Sequence, residues 1–316
     1  MKYRQLAEQP DQLPLFLQPW WLDATCGDGG WDAVVVEKGG EVTAGLPFLL
    51  KKRFGIRAMG QPPLTQFLGP WVRRTEGKGA NHLEQQKKMM YCLDEQLPAY
   101  DIYSQSWSPT VTNWLPFYWR GYRQTTRYTY ILNDLTNLET VWRGMASKIR
   151  TDIRKAENRN AIQLKDEPSI EDFLDLNELT FRRQGLAVPY SRALVRAIDK
   201  SSKSRSQSKI FMAVDPEGRQ HAAIYVVWDN ETAYYLMGGG DPGLRSSGAT
   251  SFCIWEAIKF ASSFLKRFDF EGSMMEPVER FVRAFGGEQT PYFHIRRERT
   301  LRGRFAYGLR RLGAGR

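Results

Sequence analysis

The chain has 316 residues, of which 42% are apolar and 13% aromatic. This composition excludes a largely disordered protein, since a chain of this size can bury a substantial core, and the length predicts two domains. The formal charge is +10, but residues 296–316 alone hold eight arginines and one glutamate, so the rest of the chain is nearly balanced.

The cysteines and histidines restrict the chemistry further. Cys26, Cys92 and Cys253 are scattered and show no C-x-x-C spacing, which predicts free thiols in a reducing compartment. The three histidines are dispersed, so we expect no metal site. Because there is no apolar signal-peptide core and no run long enough to span a membrane, we expect a cytoplasmic protein.

The first half of the chain predicts alternating strands and helices. Apolar alternation indicates the strands, and the helix signals are amphipathic spacing or a proline suited to a first turn. The predicted elements are strands at 31–36 and 43–50, a helix around 81–96, a strand at 100–105, a helix starting at Pro109 and a strand at 127–132. A helical region follows at 138–159 and 170–197, and it ends in a polar stretch, 200–208, that predicts a flexible loop.

The second half has a clear pattern of three short strands joined by tight turns, which predicts a meander. A glycine-rich segment, a helix from about Ala249, a short strand and a helix with Pro277 in its first turn come next. The predicted strands are 210–214, 222–228, 232–237, 268–270 and 292–295.

The resulting order, βββ-α-β-α-β, resembles the order of the first half. It predicts an α/β fold with mixed sheets, made of two tandem copies of one unit. We expect an N-terminal domain at 1–135, a helical connecting region at 136–209, the core of a second domain at 210–295 and a basic tail at 296–316.

The segment from Tyr234 to Ala249 contains Gly238-Gly239-Gly240 followed by Asp-Pro-Gly. Three glycines permit positive φ and close approach of a ligand, and the following helix directs its N-terminal N–H groups toward the same place. No lysine follows the last glycine, and the spacing fits neither the dinucleotide motif nor the P-loop. The segment predicts a phosphate-binding loop; the alternative is an ordinary surface turn.

Several stretches together resemble the Fem-like branch of the GNAT acyltransferase superfamily, which includes peptidoglycan-bridge ligases. The stretches are 147–157 (SKIRTDIRKAE), 180–185 (TFRRQG), the glycine segment with its helix, 268–272 (FDFEG) and 280–287 (RFVRAFGG). The resemblance covers roughly 30–295 and implies two tandem GNAT-like folds with the active groove in or beside the second. It also implies an amine acceptor and an acyl donor carried on a thioester or on tRNA.

One position departs from the pattern of the bridge-forming ligases, which tend to carry Phe-Lys where this chain has Phe281-Val282. Arg283 follows one position later, but arginine and lysine differ in geometry. The departure favours acyl-CoA over aminoacyl-tRNA as the donor.

Transfer of an acyl group to an amine needs a base, donors for the oxyanion and a way to stabilise the leaving group. For the base we choose Asp269 and Glu271, which are two residues apart and so share one face of a strand, with Phe268 and Phe270 directed into the core. Two neighbouring acids raise one pKa. The alternative is structural ion pairing of these acids with Arg267, Arg280 or Arg283.

The remaining predicted site residues fall into three groups. Tyr235 is a candidate acid for a departing thiolate, although strand aromatics are often core residues. The predicted donor-binding residues are Met237, Gly238, Gly239, Gly240, Arg245, Ser247, Gly248 and Ala249. The predicted acceptor-binding residues are Arg182, Arg183, Tyr190 and Arg283.

The tail carries Leu301, Phe305, Leu309 and Leu312 at steps of four, four and three in an arginine-rich helix. This pattern predicts peripheral contact with a membrane or an acidic partner; the alternative is a basic tail that frays or docks on the protein itself.

Three functions therefore remain open. The first is an N-acyltransferase that transfers an acyl group from acyl-CoA, its co-substrate, to an amine on a sugar, a lipid-linked envelope precursor or a related small molecule. The second is an aminoacyl-tRNA-dependent peptidoglycan-bridge ligase. The third is a non-enzymatic basic module that binds membranes or nucleic acid.

Overall fold

The computed structural model describes residues 2–8, 13–27, 29–73, 80–272 and 274–305. The chain forms two compact units, one of residues 1–127 with 291–316 and one of residues 128–290. The helical region predicted as a connector at 136–209 therefore lies within the second unit.

The first unit starts with two short 3-10 segments, Lys2–Glu8 and Leu15–Leu17. Its further elements are α1 (Pro19–Cys26), β1 (Asp32–Lys38), β2 (Glu41–Arg53), β3 (Ile56–Gly60), β4 (Trp71–Val72), α2 (Ala80–Gln96), β5 (Ile102–Ser106), α3 (Leu115–Trp119) and the start of β6 (Arg123–Leu132).

The second unit continues from β6 and ends in the strand that leads back to the first. Its elements are α4 (Leu138–Gly144), α5 (Ser147–Arg154) with a π turn (Lys155–Arg159), β7 (Gln163–Leu164), α6 (Ile170–Arg183), α7 (Arg192–Lys203), β8 (Ser208–Val214), β9 (Gln220–Trp228), β10 (Thr232–Gly240), a 3-10 turn (Pro242–Ser247), α8 (Ala249–Ser262), β11 (Arg267–Asp269), α9 (Glu276–Arg283) and β12 (Glu288–Glu298).

In the first unit the strands follow the order β1-β2-β3-β5-β12, and β4 pairs with β2. Met90 and Leu93 of α2 are fully buried and pack with Tyr103 of β5 and Phe117 of α3. The helix predicted to start at Pro109 is wrong, because the helix begins at Leu115 and has Pro116 in its first turn. Strand β3 was not predicted; its hairpin turns at Phe54-Gly55, which lacks the usual Asn-Gly or Asp-Gly signal.

In the second unit the order is β6-β11-β10-β9-β8-β7. The predicted meander is confirmed as the antiparallel strands β8, β9 and β10. Alternate residues of β9 face opposite sides of the sheet: Ala222, Ile224 and Val226 join the cluster that contains α8, whereas Tyr225 contacts Phe173 of α6. The sheet is thus covered by helices on both faces, and the mixed α/β fold of the prediction is confirmed.

The predicted loop at 200–208 is wrong over its first half, because α7 continues to Lys203. The polar composition of this stretch gave no sign that one face of the helix is buried. Val195 and Ile198 are fully buried, and the buried Ser202 hydroxyl donates to Ile198 O at 2.8 Å and lies 2.9 Å from the Tyr225 hydroxyl. With these partners the buried hydroxyl of Ser202 is satisfied within the helix.

The glycine segment also differs from the prediction. Gly238, Gly239 and Gly240 belong to β10 and do not have positive φ. The turn comes later, in the 3-10 segment, and the one glycine of this region with positive φ is Gly248, at +84°. The glycines of β10 therefore serve close packing, not a left-handed loop.

Candidate active site

Strands β10 and β11 run in parallel for only three residue pairs, and the last pair is Tyr234 with Asp269. Beyond it, β10 continues to Gly240. The chain after β11 instead follows β6, since a Cβ at Gly272 would lie 2.5 Å from the Cα of Thr129. The two strands therefore part at Asp269, and beyond that point no strand among the described residues pairs with this edge of β10.

Asp269 lies where the strands part and is 2% exposed. Its Oδ1 accepts a hydrogen bond from the Thr129 hydroxyl and one of 2.7 Å from the Glu271 N–H. Burial raises the pKa of Asp269 to about 7, and these two hydrogen bonds offset only part of that effect. Asp269 is thus a fixed acid that titrates near neutral pH.

Glu271 has a strained backbone, with φ at +57°, in a region that residues other than glycine rarely occupy. Its Oε1 is buried and has no hydrogen-bond partner among the described residues. Burial, followed by the charge of Asp269, raises its pKa well above the ordinary value. The strand ends at Asp269, so strand parity does not govern Glu271; the electrostatic coupling nevertheless shows that the two carboxyl groups are neighbours.

The ion-pair alternative for these acids is wrong. Arg267 pairs with Glu231, Arg280 with Glu276, and Arg283 with Glu279. Within the described part of the chain, no salt bridge reaches Asp269 or Glu271. Phe268 and Phe270 are buried in the core of the unit, as predicted.

Tyr235 lies on β10 beside this pair, and burial raises the pKa of its phenol. Ionisation of Cys253, Tyr190 or Glu271 would raise the pKa of Tyr235 further, so all three groups lie near the phenol. Tyr234 has a different environment: it is buried, and its hydroxyl donates to Asp229 at 3.1 Å. Both tyrosines are thus near the acids: Tyr234 is paired with Asp269 across the two strands, whereas the charge of Glu271 acts on Tyr235.

Helix α6 packs directly on the glycines of β10. Asn177 Nδ2 donates to Gly238 O at 2.8 Å, and the Tyr190 hydroxyl donates to Asn177 Oδ1 at 2.9 Å. The Gly240 N–H donates to the Thr180 hydroxyl at 3.1 Å. The Gly240 N–H is therefore engaged, which leaves the stretch from Tyr235 to Gly238 as the part of β10 able to face a ligand.

Asn177 and Thr180 are site residues that the sequence reasoning missed. Asn177 is 2% exposed and follows the buried Leu174 and Leu176 on α6, and an amide at such a position was the available signal, since buried amides need hydrogen-bond partners. The predicted Tyr190 does join this region. Arg182 and Arg183 lie at the end of α6 and are exposed.

The start of α8, where a diphosphate was expected, is packed against α5. A Cβ at Gly248 would lie 2.1 Å from Asp152 O, so this glycine is required by that contact. The Lys155 ammonium donates to Ser246 O at 2.5 Å, and Asn160 Nδ2 donates to Ser247 O at 2.9 Å. These contacts place a lysine at the start of α8.

Most of the other residues that were predicted to bind the acyl donor lie around the turn before α8. Ser247 and Ala249 are buried, whereas Arg245 is exposed beside Ser246. Met237 is buried on β10. An open pocket of about 560 Å³ lies past the last glycine of β10, and its lining includes Leu176, Gln220, Asp241 and Leu244.

Arg283 is exposed on α9 and pairs with Glu279 at 2.9 Å, and the Tyr130 hydroxyl donates to the same carboxylate. Val282, at the position where a lysine would stand in the bridge-forming pattern, is 1% exposed in the core. No contact brings Arg283 to the acid pair within the described residues.

Among the described residues, no three His, Cys, Asp or Glu side chains are grouped so that they could hold a metal ion. None of the described helices has the length and apolar character needed to cross a bilayer. Cys26, Cys92 and Cys253 are free cysteines, and Cys253 is buried.

Comparison with known proteins agrees with this geometry. The family model for the acetyltransferase (GNAT) domain matches residues 143–280, which include α5, α6, β10, α8 and the acid pair. No curated protein matches the sequence.

Solved structures show a similar fold over nearly the whole chain. A crystal structure of FemX has a TM-score of 0.66 at 13% identity and covers 92% of this chain and 94% of its own. The C-terminal domain of a putative lysylphosphatidylglycerol synthetase from Agrobacterium fabrum has a TM-score of 0.55 at 13% identity, covering 93% and 90%. A tandem GNAT protein from the clavulanic acid biosynthesis pathway has a TM-score of 0.53 at 12% identity, covering 94% and 92%. The fold is thus that of tandem GNAT proteins and of the Fem-like branch.

Proposed function

We propose that this protein, whose residues 143–280 form a GNAT-type acetyltransferase domain, transfers an acyl group from acyl-CoA to an amine on a sugar, an envelope precursor or a related small molecule. The observation that supports the proposal is the environment of Glu271. Its Oε1 is buried without a hydrogen-bond partner in the part of the chain that the structure describes, its backbone is strained, and it lies where β10 and β11 part. A buried carboxyl oxygen without a hydrogen bond requires an explanation, and a substrate amine supplies one.

Glu271 is the base in this proposal, and Asp269 is a positioning residue. Oδ1 of Asp269 accepts two hydrogen bonds within the protein, one of them from the Glu271 N–H, whereas Glu271 has a free oxygen. The charge of Asp269 raises the pKa of Glu271, which makes the carboxylate a stronger base. As the amine nitrogen bonds to the acyl carbon, Glu271 takes its proton.

Tyr235 acts as a hydrogen-bond donor in this scheme. Its pKa is raised above the ordinary phenol value, so the hydroxyl keeps its proton and stabilises the departing thiolate as the carbon–sulfur bond breaks. The proton that leaves the amine balances the one that the free thiol gains. The acyl oxygen would lie against the backbone of β10 before Gly240, whose own N–H is bound by Thr180.

The donor diphosphate would lie near the turn at 242–247. Lys155 and the exposed Arg245 supply positive charge there, and helix α8 begins immediately after it. The amine acceptor would approach from the side of Tyr190, with Arg182 and Arg183 at the far end of α6 available for an acidic group on it.

The test is titration calorimetry with CoA and acetyl-CoA, followed by thiol-release assays with amino sugars and amino acids as acceptors. We expect binding at micromolar to millimolar concentration and acceptor-dependent thiol release that Glu271→Gln removes. Glu276→Gln is the matched control, because Glu276 is an exposed glutamate five positions later. Absence of CoA binding by the intact protein would exclude acyl-CoA as the donor.

The aminoacyl-tRNA-dependent ligase is the second candidate, and it is favoured by a basic surface. Arg154 stacks on Trp142, Lys155 contacts the loop before α8, and neither has an acidic partner within the described ranges. Charged tRNA retained at low salt and released as salt rises would support it. Amino-acid transfer from tRNA, together with no thiol release from any acyl-CoA, would replace the first proposal by this one.

A further inference from the structure

The exposed apolar side chains of the first unit are not spread evenly. The three most exposed large apolar residues in the described chain are Phe54, Leu301 and Phe305, at 87%, 79% and 72%. Phe54 is at the tip of the β2–β3 hairpin, and the other two lie one helical turn apart after β12. They are far apart in sequence, but the fold brings them to one end of the unit.

Asp101 joins the two segments. Its Oδ2 accepts from the Arg57 N–H at 2.8 Å, and its Oδ1 accepts from the Thr300 hydroxyl at 2.9 Å. Its own N–H donates to Arg57 O, and its carbonyl accepts from the Arg299 N–H, each at 2.9 Å. A Cβ at Gly303 would lie 2.5 Å from the same carbonyl oxygen. The hairpin and the turn at 300–305 are therefore held side by side.

Cations flank the apolar residues along both segments. We call the apolar residues Phe54, Leu301 and Phe305 together with the following cations the basic end: Lys51, Lys52, Arg53, Arg57, Arg299, Arg302 and Arg304. The acid that lies among them is Asp101, which is 6% exposed and bound as described. Arg53 also lies over the Phe54 ring at 5.0 Å.

Phe54 contributes little to the fold. Its φ is +50°, a conformation that suits glycine or asparagine better than an aromatic residue, and the following Gly55 has φ +74°. A side chain that is 87% exposed in such a turn stabilises neither the core nor the hairpin. The side chain is suited to a contact outside the chain.

We propose that the basic end docks on an anionic lipid surface, with Phe54, Leu301 and Phe305 inserted between headgroups. The cations complement anionic headgroups, and exposed phenylalanine and leucine gain by leaving water. Nucleic acid is the less suitable partner, because exposed Leu301 has no role against phosphate or a base face. The surface belongs to the first unit and is independent of the acid pair of the second.

The test uses the full chain and sedimentation with vesicles of phosphatidylcholine containing about 30% phosphatidylglycerol, a strongly anionic surface. We expect binding that falls with salt and is much weaker for pure phosphatidylcholine. Lys52→Glu with Arg53→Glu should weaken binding by about fivefold or more per residue, since one cation near such a surface contributes about 1 kcal/mol. Lys38→Glu is the control and should bind as wild type. Lys38 is exposed, and it pairs with Glu41 at the start of β2, the end away from the hairpin turn at Phe54.

A second set of variants tests the contribution of the apolar side chains to vesicle binding. Leu301→Ser with Phe305→Ser should reduce binding about tenfold at any salt, whereas Leu83→Ser, an exposed leucine on α2, should not. Phe54→Trp should add blue-shifted fluorescence when vesicles are present, a gain of signal that loss of folding cannot imitate. Equal binding to neutral and anionic vesicles, or wild-type binding by the charge-reversed hairpin, would overturn the proposal. So would loss of tRNA binding in these variants with unchanged vesicle binding, which would assign the surface to nucleic acid.

Discussion

Gly239 of β10 and Asn177 of α6 touch through their backbones: a Cβ at position 239 would lie 2.5 Å from both the N and the Cα of Asn177. No side chain can occupy that space without moving the helix. The close approach allows the Asn177 amide to donate to Gly238 O and the Gly240 N–H to donate to the Thr180 hydroxyl. The three glycines are thus a docking surface for a helix beside the proposed acyl site.

We expect Gly239→Ala to destabilise the protein by about 1 to 3 kcal/mol, the usual cost of overpacking, and to lower acyl transfer because Gly238 shifts with it. Chemical unfolding and thiol-release assays measure both. The control is Gly144→Ala, since a Cβ at Gly144 meets nothing within 4 Å. Wild-type stability in Gly239→Ala would show that α6 moves freely over β10.

Glu271→Gln should lower kcat by about 10²- to 10⁴-fold, the usual contribution of a general base, with little change in the affinity for CoA. Asp269→Asn should lower the kinetic pKa of the base, because it removes the charge that raises the pKa of Glu271. The pH profile of kcat/KM distinguishes the two roles. If Asp269→Asn left the profile unchanged, Asp269 would not act through Glu271.

Lys155→Ala should weaken CoA binding about tenfold without a comparable loss of kcat, because the lysine lies at the turn before α8 and away from the acids. The loss should shrink as salt rises. Lys200→Ala, an exposed lysine on α7, is the control. A fall in kcat at unchanged CoA affinity would place Lys155 at the acceptor instead.

The pH dependence of stability should distinguish two groups, Asp269 and His294, whose pKa values are shifted in opposite directions in the folded state. The folded pKa of Asp269 is raised from 3.8 to about 7, so its contribution to stability is full below pH 3.8 and is lost as pH rises through about 7. The folded pKa of His294 is lowered from 6.5 to about 4, chiefly by burial, so its contribution is full above pH 6.5 and is lost as pH falls toward 4.

Denaturant unfolding at pH 4 to 8 measures both contributions. Relative to wild type, Asp269→Asn should gain stability as pH rises from 4 to 7, and His294→Gln should lose its disadvantage as pH falls from 6.5 to 4. His294 lies 3.1 Å from the Ser104 and Ser106 hydroxyls, which glutamine can partly replace. Parallel curves for wild type and Asp269→Asn would mean that Asp269 is already ionised at pH 4.

Local patterns predicted much of the second unit. The meander, the helix from Ala249 and the helix with Pro277 in its first turn all follow from nearby residues, and the structure has each of them. The loop predicted at 200–208 was wrong where burial overrode composition, as with Ser202 beside Tyr225, and the helix expected from Pro109 begins only at Leu115. Asp269 and Glu271 were chosen from their spacing, but Thr129, which donates to Asp269, and Asn177, which donates to Gly238 O, were not predicted.

The sequence by itself determined the meander, the helix from Ala249 and the helix with Pro277 in its first turn, and it placed acids at the end of β11 and just after it and glycines at the end of β10. These properties depend on neighbours within a few residues, where periodicity and turn chemistry act. Only the tertiary structure decided that Glu271 carries an orphan oxygen, that Gly239 meets Asn177, and that Asp101 holds Arg57 beside Thr300. Those contacts join residues far apart in the chain, and their geometry follows from how whole helices and strands pack.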